Sequence, residues 1–242
     1  MAEGQSGNVL NFYKYQAAGD NFIVVDNTKK EYPFITDNTP AITRVLDRAY
    51  GVGGNALLEL LPCEGHDYEM VYYNANGVRE GLCGNGSLCV AAFVTQKGIV
   101  SKKDICYKAA DGPHKIKIID EKDGVFTVEM QLMKSGPRFD IISDTDYFMK
   151  VGKTPHFFRF VKNLDNFPLM SEGPKVVKRK EFQDEEGAYA NFLELDEASD
   201  GSLCVKLRIY YREVKGEILA CGTASTGATL ICYHRSQKRK NG

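Results

Sequence analysis

Two cysteines in this sequence stand where sulfur can exchange a proton beside an anion. Cys83 lies in Leu82-Cys83-Gly84-Asn85-Gly86-Ser87-Leu88-Cys89, a thiol followed by two glycines and an apolar run from Leu88. The glycines admit a tight turn and Val90-Ala91-Ala92-Phe93-Val94 propagates a helix, so the stretch reads as a loop opening a helix. Cys221 repeats the arrangement in Ala220-Cys221-Gly222-Thr223-Ala224-Ser225-Thr226-Gly227, which runs into Ala228-Thr229-Leu230-Ile231-Cys232. The first turn of a helix carries unpaired N–H groups and the positive end of the helix dipole. Such a turn holds a carboxylate and favours thiolate at an adjoining cysteine.

The elements that must position these thiols are short strands with few helices. Leu10–Tyr15 alternates as a strand, Ala17-Ala18-Gly19-Asp20 turns, and Asn21–Asp26 makes a second strand, together an opening hairpin. Thr39 followed by Pro40 predicts a helix over 39–48 with Thr39 as its cap. Strands follow at Leu57–Leu61 and Tyr68–Tyr73, and Asn74-Ala75-Asn76-Gly77 turns the chain toward the first thiol loop. Past it come strands at Asp104–Lys108, His114–Ile119 and Val125–Met130, with a turn at Asp111-Gly112-Pro113. Phe157–Val161, Ala190–Leu195 and Leu203–Tyr210 are strands of the second half. Each half ends near a thiol-bearing loop and helix, a weak internal symmetry that places a boundary near the middle, at 1–113 and 114–242.

At 242 residues the chain suits one large domain or two of about 120. With 31 basic and 32 acidic residues it gives no reason to expect nucleic acid or an acidic membrane surface. Seven cysteines with no CxxC, and an opening that lacks a basic segment followed by an apolar one, predict reduced thiols in a cytoplasmic setting. No apolar stretch approaches the roughly 20 residues that cross a bilayer. Cys63, Cys89, Cys106, Cys204 and Cys232 are expected in the core, as most single cysteines are. The histidines are scattered, with no metal-ligand spacing, so no metal is expected, and His114 and His156 read as structural. Arg235–Lys240 reads as a solvated basic end.

Asn74-Ala75-Asn76-Gly77, Cys83-Gly84-Asn85-Gly86, Thr154-Pro155-His156 and Ala220-Cys221-Gly222-Thr223 occur in the order and at about the spacing of the diaminopimelate epimerase family, which the chain resembles from Phe12 to the last helix. The resemblance implies an α/β (α+β) fold of two pseudo-symmetric domains, each a curled sheet around a central helix, with the active site between them. It implies inversion of an amino-acid α-carbon without pyridoxal or any other cofactor. Such an inversion needs one group to remove the proton and another to return one from the opposite face, roles that Cys83 and Cys221 would exchange with direction. N–H groups around Gly84, Asn85, Gly222 and Thr223 would stabilise the charge that builds on the substrate carboxylate. The partner implied is a small amino-acid substrate, and relatives are often dimers, so a homodimer is expected.

Departures from the family pattern cluster where substrate would be read. The family's Gly-Asn-Asp-Phe is Gly19-Asp20-Asn21-Phe22, with the acid Asp20 at the position of a substrate-facing Asn. Its Glu-Arg before the second thiol loop is reversed as Arg212-Glu213, while an Asn before Pro-His is Thr154 and a further Asn is Tyr189. In the family that Arg and three Asn hold the distal carboxylate of diaminopimelate, and of the set only Asn74 is kept. Glu213 would repel a carboxylate that an Arg attracts, unless a register shift lets Arg212 substitute. Substrate contacts are therefore assigned to Asp20, Asn74, Gly84, Asn85, Arg212, Glu213, Gly222 and Thr223. Family members also continue past the second thiol helix with further strands, whereas this sequence ends at Asn241-Gly242. A shortened chain, a partner that fills the gap and a reduced fold are the alternatives. For function they are an epimerase of altered specificity, a non-catalytic binding protein and a degenerate or engineered scaffold.

Overall fold

The computed structural model describes residues 9–131, 138–152, 154–185, 187–197, 202–212 and 215–240. The chain divides into two compact units, Met1–Gln131 and Leu132–Gly242. The first holds β1 (Tyr13–Ala17), β2 (Asp20–Asp26), α1 (Thr39–Leu46), β3 (Ala56–Leu61), β4 (Tyr68–Tyr73), β5 (Arg79–Glu80), α2 (Gly84–Gln96), β6 (Asp104–Ala109), β7 (Gly112–Lys122) and β8 (Val125–Met130). Its sheet runs β1-β2-β3-β4-β6-β7-β8, with β5 on β4. Helix α2 lies against both β1 and β8, which stand at opposite ends of that order, so the twisted sheet curls round the helix.

Strand alternation sorts the side chains between two layers. Phe22 and Val24 of β2, with Leu58 and Leu60 of β3, join Val90, Phe93 and Val94 of α2 in one core. Ile23 and Val25, with Leu57, face the other way and pack with Ile42 and Leu46 of α1. Covered on both faces, the central run Phe22–Val25 of β2 and all of β3 but Glu59 are apolar, as fully buried strands are. Asn38 caps α1 through a 3.2 Å bond from Ala41 N, so the cap lies one residue before Thr39, which is itself helical.

The second unit holds β9 (Phe139–Ile141), β10 (Asp146–Val151), β11 (Thr154–Phe160), α3 (Leu169–Val177), β12 (Tyr189–Glu197), β13 (Leu203–Tyr211), β14 (Gly216–Ile218) and α4 (Gly222–Lys240). Its sheet runs β14-β13-β12-β11-β10-β9. Phe157 and Phe192 face α3, while Phe158 and Leu193 face Ala228 and Ile231 of α4.

The two units share a connectivity. An antiparallel pair, β1-β2 or β10-β11, leads through α1 or α3 into a parallel neighbour, β3 or β12. An antiparallel strand, β4 or β13, and a short one, β5 or β14, then deliver the chain to the helix after each thiol. This is the internal symmetry expected from sequence. The division falls at 131/132, whereas 113/114 was expected, because the turn before Gly112 joins β6 to β7 as a hairpin of one sheet. Among the described residues no helix is long and apolar enough to cross a membrane.

Candidate active site

Both thiols stand at the same point relative to their helices. Cys83 is the N-cap of α2 in extended conformation (φ −111°, ψ 108°), and its carbonyl accepts the first helical bond from Ser87 N at 2.9 Å. Cys221 immediately precedes α4, and its carbonyl accepts from Ser225 N at 2.9 Å. The Cys83 sulfur also accepts from Gly86 N at 3.4 Å, capping the helix itself. Glycine at 86 leaves room for the sulfur: a Cβ there would meet the Cys83 sulfur at 3.3 Å and Leu58 Cδ2 at 3.0 Å, so one of them would have to give by a few tenths of an ångström. Both sulfur-bearing residues are half-buried. By contrast, burial pushes the Cys89 thiol up to about 12 and that of Cys232 to about 11, so both stay protonated core groups.

Around Cys83 the structure gathers Gly84, Asn85 and Asp20. Gly84 and Asn85 open α2, and Asn85 Nδ2 donates to Asp20 Oδ2 at 2.9 Å from the start of β2. Asn55 Nδ2 approaches the other Asp20 oxygen at 3.5 Å, and Arg48 in turn donates to Asn55 Oδ1 at 3.1 Å. Asp20 thus meets amide donors and, among the described residues, forms no ion pair. Asn74 is occupied differently. Its Oδ1 accepts from the backbone N–H of Asn76 and Val78 at 3.0 and 3.1 Å, and its amide donates to Glu80 at 2.9 Å.

Around Cys221 the structure gathers Gly222, Thr223 and, unexpectedly, His156. Thr223 Oγ1 lies 3.2 Å from the Cys221 sulfur and 2.9 Å from His156 Nε2. His156 is fully buried on β11, and burial drives its pKa down to about 3, so the ring is neutral. Asn191 Nδ2 of β12 lies 3.3 Å from the other ring nitrogen, Nδ1. The structural role read for His156 thus extends to the thiol loop. The signal was available in sequence, because His156 and Asn191 are polar residues in the phase that alternation sends toward α4. Arg212 turns its Nη1 to the Gly187 carbonyl at 2.8 Å and lies over the Tyr189 ring, 5.1 Å from its centroid. Glu213 lies outside the described residues.

Of the five cysteines expected in the core, Cys89 and Cys232 are buried, Cys63 and Cys106 half-buried, and Cys204 exposed. Cys204 sits on the stretch of β13 that β14, paired only at 209–211, does not cover. Among the described residues no group of three His, Cys, Asp or Glu side chains is placed to hold a metal ion.

The sequence matches the profile of the family described as Diaminopimelate epimerase over residues 12–134. It is 33% identical to the diaminopimelate epimerase of Flavobacterium psychrophilum over 229 residues, 95% of this chain and 83% of that protein. It is 30% identical to that of Cupriavidus necator, over 93% of this chain and 83% of that one. Among solved structures it is similar to a Bacillus anthracis phenazine biosynthesis protein of the PhzF family, with a TM-score of 0.66 at 19% identity, covering 89% of this chain and 77% of that one. A hydroxyproline epimerase from Agrobacterium vitis gives a TM-score of 0.59 at 15% identity, covering 93% and 77%. With relatives of this identity along nearly its whole length and the fold that these structures share, the chain belongs to the diaminopimelate epimerase family and is an amino-acid epimerase.

Proposed function

We propose that this epimerase inverts the α-carbon of a free amino acid with Cys83 and Cys221 as its two acid–base groups, and without a cofactor. The observation that carries the reading is the like construction of the two thiol–helix starts, each offering a half-buried sulfur beside a first helical turn. One sulfur removes the α-proton and the other returns one from the opposite face, the roles reversing with direction. The hard step is a carbanion beside a carboxylate. Backbone N–H groups at Gly84, Asn85, Gly222 and Thr223, in the first turns of the two helices, are assigned to the charge that spreads onto those oxygens.

Asp20, hydrogen-bonded to Asn85 in the first turn of α2, supplies a negative charge for the substrate ammonium. The substrate is an amino acid, and diaminopimelate, the compound in the names of the relatives, is the first to assay. The altered positions Thr154, Tyr189 and Arg212 favour a side chain other than that of diaminopimelate.

The deciding experiment incubates the protein in D2O with diaminopimelate and a panel of single enantiomers and follows deuterium at Cα. Exchange with inversion in the wild type, abolished in both Cys83→Ala and Cys221→Ala, is the expected result. Exchange that survives either substitution removes the two-thiol mechanism.

A further inference from the structure

We propose that Asn191 is a positioning residue whose amide fixes the tautomer of His156, so that the Thr223 hydroxyl donates its one proton to the Cys221 sulfur. The inference builds on the reading of Cys221 as an acid–base thiol, and its test is independent of that reading.

The orientation of the Asn191 amide is determined by its surroundings. Its Nδ2 donates to the Phe157 carbonyl at 2.8 Å and the Tyr189 carbonyl at 2.9 Å. Flipping the amide would set Oδ1 against two carbonyl oxygens, so the nitrogen must face them. The cost is visible, because Oδ1 is buried without a partner. The same nitrogen is the group that meets His156 Nδ1, at 3.3 Å. An amide nitrogen has no lone pair to offer, so a proton on Nδ1 would point at another donor. Nδ1 therefore presents its lone pair, and the ring proton of the neutral imidazole sits on Nε2.

That assignment sets the direction of the remaining bonds. Nε2–H donates to Thr223 Oγ1 across 2.9 Å, filling an acceptor site of the hydroxyl. The hydroxyl proton is then directed to the Cys221 sulfur 3.2 Å away. With the other tautomer Thr223 would give its proton to Nε2, and the sulfur would face a hydroxyl able only to accept. The first arrangement supports sulfur as an acceptor, the state a proton-abstracting thiolate needs; the second supports the thiol. Burial keeps the ring neutral, so the tautomer, not the charge, carries the effect.

The test is a long-range proton–nitrogen spectrum of the full chain labelled with 15N-histidine, the His156 signals identified by their loss in His156→Phe. A protonated Nε2 and a bare Nδ1 in the wild type are expected; a protonated Nδ1 overturns the proposal. A second arm follows iodoacetamide labelling of the Cys221 peptide at one fixed neutral pH. Thr223→Val should slow it about tenfold, the loss of one hydrogen bond to a charged group, while Thr223→Ser keeps the wild-type rate. Asn191→Leu should slow it to the same degree and allow the second tautomer. Labelling unchanged in Thr223→Val, or a single unaltered tautomer in Asn191→Leu, also overturns the proposal. If the amino-acid exchange assay fails while the wild-type spectrum shows protonated Nε2, the reaction is lost and the tautomer assignment stands.

Discussion

Phe22 and His156 occupy the same position in their respective sheets. Each is the third residue of its strand and the first to pair with the parallel neighbour, Phe22 with Ala56 and His156 with Tyr189. Two pairs further along, Leu58 and Asn191 correspond in the same way. The thiol helix of the first unit therefore rests on Phe22 and Leu58, whereas at the matching places of the second an imidazole bonds Thr223 at the helix start and an amide stands against that imidazole. The backbone symmetry is retained while the layer beneath the thiols is chemically unlike, so Cys83 and Cys221 are not interchangeable.

Burial of neutral His156 makes stability depend on pH in a defined direction. Its folded pKa of about 3 lies below the ordinary value near 6.5, so between those values the unfolded chain binds the proton the folded one refuses. The contribution is present above about pH 6.5 and is lost as pH falls toward 3. Urea unfolding at pH 7 and pH 4 should show the wild type losing on the order of 3 kcal/mol more than His156→Phe over that interval. Equal losses in the two proteins would place the pH dependence elsewhere.

Asp20 offers a charge test of substrate binding. Its carboxylate is held by amides and makes no ion pair among the described residues, so it is available to an ammonium group. Asp20→Asn keeps the shape and the bond to Asn85 while removing the charge. The KM of the exchanging amino acid should rise about tenfold with kcat changed far less, since a charge-assisted bond made equally in ground and transition states is lost. A fall in kcat at unchanged KM would instead put Asp20 among the groups acting on the transition state.

The thiol loops, the helices after them and most strands were legible because each carries its own local signal. Glycine-flanked thiols before apolar runs, and alternation in His114–Ile119, need no distant partner to be read. Helix α3 was not legible: Gly173 and Pro174 lie inside it and argue locally against a helix. It forms because Gly173 lets α3 close on Tyr210, whose ring would lie 2.2 Å from a Cβ there. The strand phase of His156 and Asn191 shows that polar groups face α4, but not that Thr223 is the partner, since 67 residues separate it from His156 and only the sheet brings them together. Exposure of Cys204 depends on which strand stands beside β13, which one strand's sequence does not encode.

Glu59 is a fully buried side chain on the α1 side of β3, hydrogen-bonded, among the described residues, without a cation. Asn27 Nδ2 donates to it at 2.6 Å, Thr36 Oγ1 at 2.5 Å and Tyr73 OH at 3.0 Å, so one side chain anchors the whole segment between β2 and α1. Glu59→Leu takes the acceptor from Thr36 Oγ1 and leaves Tyr73 OH only Asp37 Oδ1 at 3.2 Å and Asn27 Nδ2 only its 3.4 Å contacts to Tyr32 O and Thr36 Oγ1. The substitution should cost about 2 kcal/mol or more in urea unfolding at neutral pH. Hydrogen exchange in residues 27–38 should accelerate first, because that segment has lost its anchor. Unchanged exchange there, with stability lost evenly, would show that the segment is held by packing alone.

Two glycines of unlike surroundings test whether close packing of α4 on its sheet is what fixes the second thiol. A Cβ on Gly227 would lie 2.5 Å from Phe158 Cζ and 3.4 Å from Val151 Cγ2, both fully buried side chains of the core under α4. Gly227→Ala must move α4 off the sheet or force Phe158 from its rotamer, at a cost of about 2 kcal/mol. Since Thr223 lies in the first turn of that helix and Cys221 immediately precedes it, the shift should also lengthen the contact to His156 and slow amino-acid exchange severalfold. Gly81, by contrast, has nothing within 4 Å of a Cβ and no left-handed backbone, so Gly81→Ala should stabilise slightly, by about 0.5 kcal/mol, through the unfolded chain. If Gly227→Ala unfolds at the wild-type urea concentration, the helix has slack against β11 and the position of Cys221 is set by its loop instead.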